Sequence, residues 1–152
     1  MTSERARAAT LWGRSLLVGT VDAKGIPACC RAVGVRSNDD LATITVFVPV
    51  ATSRDVIANI ASTRRIAVVT SFPPDHVSVQ LKGTTTGVRL AADDDEAFTR
   101  GCVDAFAEIL HDLGIPRRIV RSFNHWPAFA IDMTVDEVFE QTPGPKAGTA
   151  LR

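Results

Sequence analysis

The sequence has 152 residues, a length that predicts a single domain over residues 1–152 with a hydrophobic core of its own. Basic and acidic residues number 17 each, and a formal net charge of zero argues against a general binder of nucleic acid or of an anionic membrane. The three cysteines form neither a disulfide framework nor a CxxC metal pair, which favours a reducing, cytoplasmic location.

The first half of the chain predicts a helix, three antiparallel strands and a second helix, in that order. The opening segment 3–13 is interpreted as a short helix, and its charges and lack of a long apolar run fit neither a secretory signal nor a membrane span. Apolar residues recur at helical spacing over 54–62, with Ser53 or Thr52 as the N-cap. The strands predicted in this half are 16–22, 26–36 and 41–50.

The second half predicts three more strands and a long helix. Apolar and polar residues alternate at the start of the strand 76–90, and Gly83 within it indicates a bulge. A long helix is expected from Asp93, where Glu96 three residues later suggests a capping box, to about Leu113. The other elements predicted are strands 65–72 and 128–141 and a short helix over 116–123.

These elements together predict the class of fold. About six strands, mostly joined by short turns and with helices inserted between them, close most easily into a small antiparallel barrel. We therefore expect an α+β, mainly β fold, with the helices packed outside the barrel.

The common motifs of catalysis and phosphate binding are absent from the sequence. It has no glycine-rich phosphate loop of the GxGxxG or GxxxxGK[ST] type, no HExxH pair and no GxSxG elbow. The histidines, His76, His111 and His125, are scattered without a carboxylate spacing that suggests a metal site. No metal site and no catalytic residue is therefore predicted.

Two arginines, five residues apart, flank the segment 32–35 of one predicted strand. In a regular strand Arg31 and Arg36 point to opposite faces and lie about 16 Å apart, so they could not both hold one small anion. They could hold an elongated ligand, or come together if Gly34 marks a bulge. The alternative is that both are solvated surface residues.

A third arginine stands at the start of the helix predicted over 54–62. Helix N-termini are electropositive, so Arg54 in the first turn is unfavourable unless an anion binds there. One interpretation is an N-cap serine, Ser53, followed by an exposed arginine. The other is a phosphate site formed by backbone N–H groups, the Ser53 hydroxyl and Arg54.

The order of three segments carries a resemblance to a known family. LLVGTVDAKGIPACCRAVGVR, then TVFVPVATSRDVIANIASTRRIAVVTSF, then VSVQLKGTTTGVRL, together covering roughly residues 10–92, resemble the pyridoxamine 5′-phosphate oxidase-like proteins. The resemblance implies an antiparallel split β-barrel that binds two FMN molecules at the interface of a homodimer.

The resemblance also implies a set of cofactor-binding residues. Arg31, Arg36, Ser53 and Arg54 would contact the phosphate and ribityl chain of FMN. The backbone of Ala32, Val33, Gly34 and Val35 would run along the isoalloxazine ring. Ser78 or Gln80 would approach the ring from the other subunit.

Three positions differ from the oxidase itself. Asp55 stands where a lysine is common, Val48 and Pro49 stand where an aromatic and a hydroxyl residue often occur, and the oxidase's substrate motif is absent. His125 and Trp126 are possible substrate contacts over the flavin edge. Alternatively, they form a turn before the last strand, with Trp126 in the core.

The function expected from this resemblance is that of an FMN-dependent oxidoreductase acting on an unknown small molecule, with no nucleic-acid or membrane partner. The alternative is a non-catalytic split barrel that binds flavin, haem or another ligand. A third possibility is a dimeric scaffold without a functional cofactor site.

Overall fold

A computed structural model describes residues 12–38 and 41–151 of the chain. The helix predicted over 3–13 lies outside these residues except for its end, where Trp12 and Gly13 form a turn. The strands are β1 (Ser15–Val21), β2 (Pro27–Arg31), β3 (Gly34–Ser37), β4 (Thr43–Pro49), β5 (Arg65–Ser71), β6 (Ser78–Leu90) and β7 (Ala128–Glu140). The helices are α1 (Arg54–Thr63), α2 (Asp93–Asp112) and α3 (Arg117–Arg121).

The predicted strand 26–36 is two strands, so the described residues form seven strands rather than about six. β2 pairs with β1 and β3 pairs with β4, which corrects the prediction of one continuous strand over 26–36. The break falls at two residues, where the Ala32 N–H donates to the Leu16 oxygen at 3.0 Å and the Val33 N–H donates to the Phe47 oxygen at 2.9 Å. Backbone partners therefore change between neighbouring residues, from one edge of the sheet to the other.

This change of partners forces the sheet to curl. The strand order is β2-β1-β5-β6-β7-β4-β3, with every pairing antiparallel, so β2 and β3 are the two edges. A flat sheet of seven strands would hold its edges about 29 Å apart at about 4.8 Å per spacing, whereas the three residue steps from Arg31 to Gly34 span at most about 11 Å. The sheet closes on itself as a split barrel, which confirms the predicted fold class.

The barrel interior is filled by the inward-facing residues of the strands and by one face of α1. Val18, Val68 and Leu81 are fully buried on three adjacent strands. Val56 and Ile60 of α1 join the same cluster, because residues four apart lie on one face of a helix. The prediction of a helix over 54–62 is confirmed.

The helix α2 packs outside the barrel near β3. Its Phe98 joins a second cluster that includes Val33, Phe47 and Ala130. Its N-cap is Ala92, and the Asp95 carboxylate accepts the Ala92 N–H at 3.0 Å, so the cap predicted at Asp93 and Glu96 is displaced by one residue. Gly114 follows the helix with φ of +92°, as expected for the residue that ends it.

Two features secure the long strands β6 and β7. The register between them shifts at Gly83, which confirms the predicted bulge. β4 pairs with β7 only as far as Thr134, and the chain that follows β7 folds back to cover the rest of this strand. There the Leu151 N–H donates to the Val138 oxygen at 2.7 Å, and the Glu140 N–H donates to the Thr149 oxygen at 2.9 Å. None of the described helices combines the length and the apolar character needed to cross a membrane.

Candidate cofactor site

One end of the sheet gathers several of the residues predicted to bind a cofactor. β4 ends at Pro49, which pairs with Ala128 at the start of β7, and β3 begins nearby at Gly34, which pairs with Phe47. The Val50 N–H donates to the Pro127 oxygen at 2.9 Å, so the turn that leads into α1 lies one residue from Trp126. The segment 32–35, the N-terminus of α1 and Trp126 are therefore at the same end of the sheet.

The hydroxyl at the start of α1 is buried without a partner. Ser53 is the N-cap residue and is 0% exposed, yet among the described residues its Oγ has no hydrogen-bond partner, not even in the helix it precedes. A buried polar group without a partner costs about 1–3 kcal/mol, so such groups are rare and point to a missing partner. The residues present fit an anion that accepts hydrogen bonds at this helix terminus.

The arginine that follows Ser53 is exposed. Within the described parts of the chain, the Arg54 side chain makes no hydrogen bond or ion pair. Its own helix places Asp55 in the first turn, which is the only acidic residue there. Asp55 therefore offsets part of the positive charge at this helix end, but among the described residues it forms no ion pair with Arg54.

Arg31 lies beneath the outer helices rather than in free solvent. Its guanidinium stacks 5.1 Å from the ring of Phe106 on α2 and 5.3 Å from the ring of Phe123, just beyond α3. Burial lowers the pKa of Arg31 because it removes water from the charged form. The side chain remains partly exposed, so it is accessible from one side.

Arg36 is held by a different part of α2. Its guanidinium donates to Asp95 at 2.9 Å and stacks 4.5 Å from the Phe98 ring. The same carboxylate accepts from Arg89 at 2.9 Å and from the backbone N–H of Ala92. Burial alone would raise the pKa of Asp95, but the hydrogen bonds from Arg89, Ala92 and Arg36 outweigh it and lower that pKa.

Both strand arginines consequently contact α2, and the expectation of opposite faces does not hold. The cause is the strand break at Ala32 and Val33, not a bulge at Gly34, which begins β3 as a paired residue. The rings that stack on the two arginines are eight residues apart, or about 12 Å along the helix. The two guanidinium groups therefore do not converge on one small anion.

The backbone between the arginines is tightly packed. Ala32 and Val35 join the main core, whereas Gly34 faces α2, where a Cβ atom would lie 3.1 Å from Phe98 and 3.2 Å from the Cys102 sulfur. Burial raises the pKa of the Cys102 thiol to about 11, despite the opposing effect of Arg36. Cys102 is thus a neutral packing residue at physiological pH.

Ser78 and Gln80 lie on the outer face of β6, three strands from Arg31. The Ser78 hydroxyl donates to Ser71 at 2.7 Å, and the Gln141 amide donates to Gln80 at 3.4 Å. The register places Gln80 in one row with Leu17 and Arg31, about 14 Å from Arg31 across the sheet. One subunit therefore does not bring Gln80 against Arg31.

His125 and Trp126 precede β7, as the turn interpretation expects. Trp126 packs against the second cluster with Val33 and Phe47, and is half-buried. A ring nitrogen of His125 is 3.2 Å from the Phe123 oxygen.

Asp95, which positions Arg36, is not identified from the sequence alone. Its place at the third position of a helix is the signal that could have indicated its capping role.

The described residues form an antiparallel split barrel, with a short helix between β4 and β5 and a pair of outer helices after β6. No protein-family model matches this chain, and no curated protein does. Solved structures do match, and the resemblances are structural rather than close in sequence.

Three of these structures illustrate the relationship. An F420 reductase has a TM-score of 0.56 and 13% identity, covering 87% of this chain and 94% of its own. An FMN-binding protein from Syntrophomonas wolfei has a TM-score of 0.53 and 12% identity, covering 91% and 84%. A candidate pyridoxamine 5′-phosphate oxidase from Lactobacillus delbrueckii has a TM-score of 0.50 and 18% identity, covering 91% and 89%. The chain therefore shares the split-barrel fold of these three structures.

Proposed function

We propose that this protein is a homodimeric FMN-binding flavoprotein that acts as an oxidoreductase on a small molecule. The observation that carries the proposal is the buried, unpartnered hydroxyl of Ser53 at the N-terminus of α1. The split-barrel fold shared with an FMN-binding protein and an F420 reductase supports a flavin as the ligand.

The residues at the end of the sheet would divide the work of binding. The Ser53 hydroxyl and the free N–H groups of the first turn of α1 would donate to the phosphate, and Arg54 would add a charge-assisted contact. The backbone of 32–35 would lie along the isoalloxazine ring, and Arg31 and Arg36 would stand at the two ends of this backbone segment. FMN, when bound, supplies hydride transfer, while the chain positions the ring and excludes water. His125 and Trp126 would contact the substrate.

A second copy of the chain would complete the site. Leu17, Val69, Gln80 and Phe139 form one row across four strands on the outer face, and Leu17 is 46% exposed. A two-fold axis parallel to the strands between β1 and β5 would place β6 of one copy over β2 of the other. Gln80 of one subunit would then face Arg31 of its partner, as a shared site requires.

The test compares FMN with riboflavin, which lacks the phosphate. Arg54→Ala should weaken FMN binding about ten- to a hundred-fold, as expected for loss of a charge-assisted interaction of about 1.5–3 kcal/mol. Ser53→Ala should weaken it by a smaller factor, and neither change should alter riboflavin binding. Titration by flavin fluorescence quenching measures all of these affinities, and raised salt should mimic Arg54→Ala in part.

Two outcomes would count against the proposal. Equal losses for FMN and riboflavin in Arg54→Ala would show that Arg54 supports the fold rather than the phosphate. The visible spectrum of the purified protein provides the other test. A yellow protein supports flavin binding. A red protein would support the haem-binding alternative, and a protein that stays colourless after incubation with FMN would support the scaffold without a cofactor site. Arg31→Ala in the same titration would assign Arg31 to the phosphate or to the ring.

A further inference from the structure

The C-terminal half of β6 has one unpaired side. β5 pairs with β6 only as far as Thr84, and the Thr85 N–H donates to the Arg64 oxygen at 2.8 Å. Within the described residues, the rest of β6 pairs with β7 alone, as far as Leu90. We call the side of the stretch 86–90 that faces away from β7 the open edge of β6.

Backbone groups of two residues point out of this open edge. The Ala91 N–H donates to the Ala128 oxygen at 2.9 Å, and residues of an antiparallel ladder alternate between facing the partner strand and facing away from it. Arg89 therefore bonds to β7, whereas Val88 and Leu90 present their N–H and C=O groups to the open edge. In the part of the chain that the structure describes, these groups have one contact, from the Arg89 side chain to the Leu90 oxygen at 3.5 Å.

The side chains of the same two residues are apolar and exposed. Val88 is 40% exposed and Leu90 is 63% exposed. Their partners on β7 are Ile131, which belongs to the main core, and Phe129, which packs against it. An apolar row on the core face of the sheet therefore continues to the open edge, where the described residues leave it uncovered.

The other edges of the sheet are protected. β7 is covered by the segment that ends at Leu151, β3 is four residues long and lies against α2, and β2 begins with Pro27, which has no N–H group. The open edge of β6 contains no proline, and Val88 and Leu90 are uncharged. Unguarded edges pair with extended chains, so this one points to a partner strand.

Charges at the two ends of the open edge give a partner strand its direction. Arg64 and Arg65 are exposed at the end where β5 begins. Arg64 donates to the Thr85 oxygen, and among the described residues neither arginine forms an ion pair. Asp93 and Asp94 are exposed just beyond the other end, in the first turn of α2. A strand antiparallel to β6 would place its C-terminal end near the arginines and its N-terminal end near the aspartates.

We propose that the open edge of β6 binds an extended peptide of another protein, paired antiparallel as an additional strand. The peptide backbone would exchange hydrogen bonds with Val88 and Leu90, and its apolar side chains at alternate positions would pack beside theirs. An acidic residue or terminal carboxylate would lie near Arg64 and Arg65. None of these residues belongs to the proposed flavin site, so the inference does not rest on flavin binding.

The probe is a labelled heptapeptide, KTVTVTE, whose valines would lie opposite Val88 and Leu90. Its control is the same peptide with both valines N-methylated, which keeps the side chains but removes two donors. This control should bind about ten-fold more weakly or worse, as loss of two hydrogen bonds predicts. The charge-reversed peptide ETVTVTK should also bind more weakly, because its ends meet like charges. Fluorescence anisotropy with the full chain measures all three affinities.

A variant of the protein tests the same contact from the other side. Leu90→Lys places a charge at the open edge, as natural edge strands often do, and should weaken KTVTVTE about ten-fold. Leu113→Lys is the matched control, since Leu113 is an exposed leucine at the far end of α2, and it should bind as wild type. A cooperative thermal transition verifies that each variant is folded.

Amide hydrogen exchange locates the bound peptide. In the free protein the Val88 and Leu90 amides should exchange fast, whereas the Arg89 amide between them should be protected by β7. KTVTVTE should slow exchange at Val88 and Leu90 and leave Arg89 unchanged.

Four results would overturn the inference. Slow exchange of Val88 and Leu90 without peptide would mean that a second copy or another segment of this chain already covers the open edge. Equal affinity of the N-methylated peptide, or unchanged affinity in Leu90→Lys, would exclude an added strand. Displacement of KTVTVTE by saturating FMN would place the open edge within the flavin site and reject it as a separate one.

Discussion

Asp95 joins three parts of the chain through a single carboxylate. It accepts hydrogen bonds from Arg36 on β3, from Arg89 on β6 and from the N–H of Ala92 at the start of α2. The carboxylate is nearly buried, whereas both guanidinium groups are about half exposed. Asp95 therefore fixes the helix start and one end of the segment 31–36 together.

Replacing Asp95 by asparagine should lower the free energy of unfolding by about 2 kcal/mol at neutral pH, because partly buried donors lose a charged acceptor. The pKa of Asp95 is lower in the folded state than in the unfolded state, where it is near 3.9. Its contribution is thus present above that value and is lost as the pH falls through the lower, folded pKa.

Urea unfolding at several pH values measures this contribution. The difference between wild type and Asp95→Asn should be constant near neutrality and shrink below about pH 4. Asp94→Asn provides the control, since Asp94 is exposed in the same helical turn. Equal effects of the two substitutions at every pH would mean that only the helix dipole is involved.

The candidate site was partly accessible to sequence reasoning. Ser53 and Arg54 can be predicted at a helix N-terminus, because a polar segment between a strand and a helical pattern is a local signal. The surroundings of Arg31 and Arg36 could not be predicted, since they come from α2, whose Asp95 is 59 residues from Arg36.

Among the elements, β6 shows how one glycine sets the path of a long strand. A Cβ atom on Gly83 would lie 1.8 Å from the backbone oxygen of Thr134 on β7, far inside contact distance. The register shift between the two strands occurs at this residue. Only glycine allows the strands to approach here without moving the backbone.

Gly83→Ala should therefore destabilise the fold by about 3 kcal/mol or more, through displacement of a central strand. Gly19→Ala on β1 is the matched control, because a Cβ atom there would meet nothing within 4 Å. Its effect should stay within about 0.5 kcal/mol. Chemical denaturation measures both, and a Gly83 variant as stable as the control would show that β7 adapts at little cost.

Most elements can be predicted from residues that are close together in the sequence. The division of the strand predicted over 26–36 cannot, because it follows from closure of the barrel. The bulge at Gly83 and the helix end at Gly114 follow from residues that act within a few positions. The segment 26–36 has strand character throughout, and no residue at Ala32 or Val33 indicates a break. Its division arises because the chain must leave one edge and join the other, a requirement set by all seven strands.

At the scale of the whole molecule, the proposed dimer makes a prediction about the outer face. Leu17→Lys places a charge in the row that contains Val69 and Gln80, and should convert a dimer to a monomer at micromolar concentration. FMN binding should weaken with it, since the proposed site is shared between the two copies. Leu113→Lys, at the exposed end of α2, should leave the assembly unchanged.

Analytical ultracentrifugation of the wild type and both variants measures the assembly. A wild-type monomer at micromolar concentration would reject the dimer and the shared site together. A dimer that persists in Leu17→Lys would place the interface on another face.

The residues that follow β7 have a consequence for behaviour in a crowded solution. Beyond Thr134, which pairs with Thr43 at the start of β4, the amides and carbonyls of β7 would be open to strand addition by any extended peptide, and such open edges promote aggregation. Thr149 and Leu151 occupy this stretch through backbone hydrogen bonds, and Leu151 also packs on the core. This short segment therefore acts as a guard strand, and fraying of it would expose a template for fibre growth while the barrel itself remained folded.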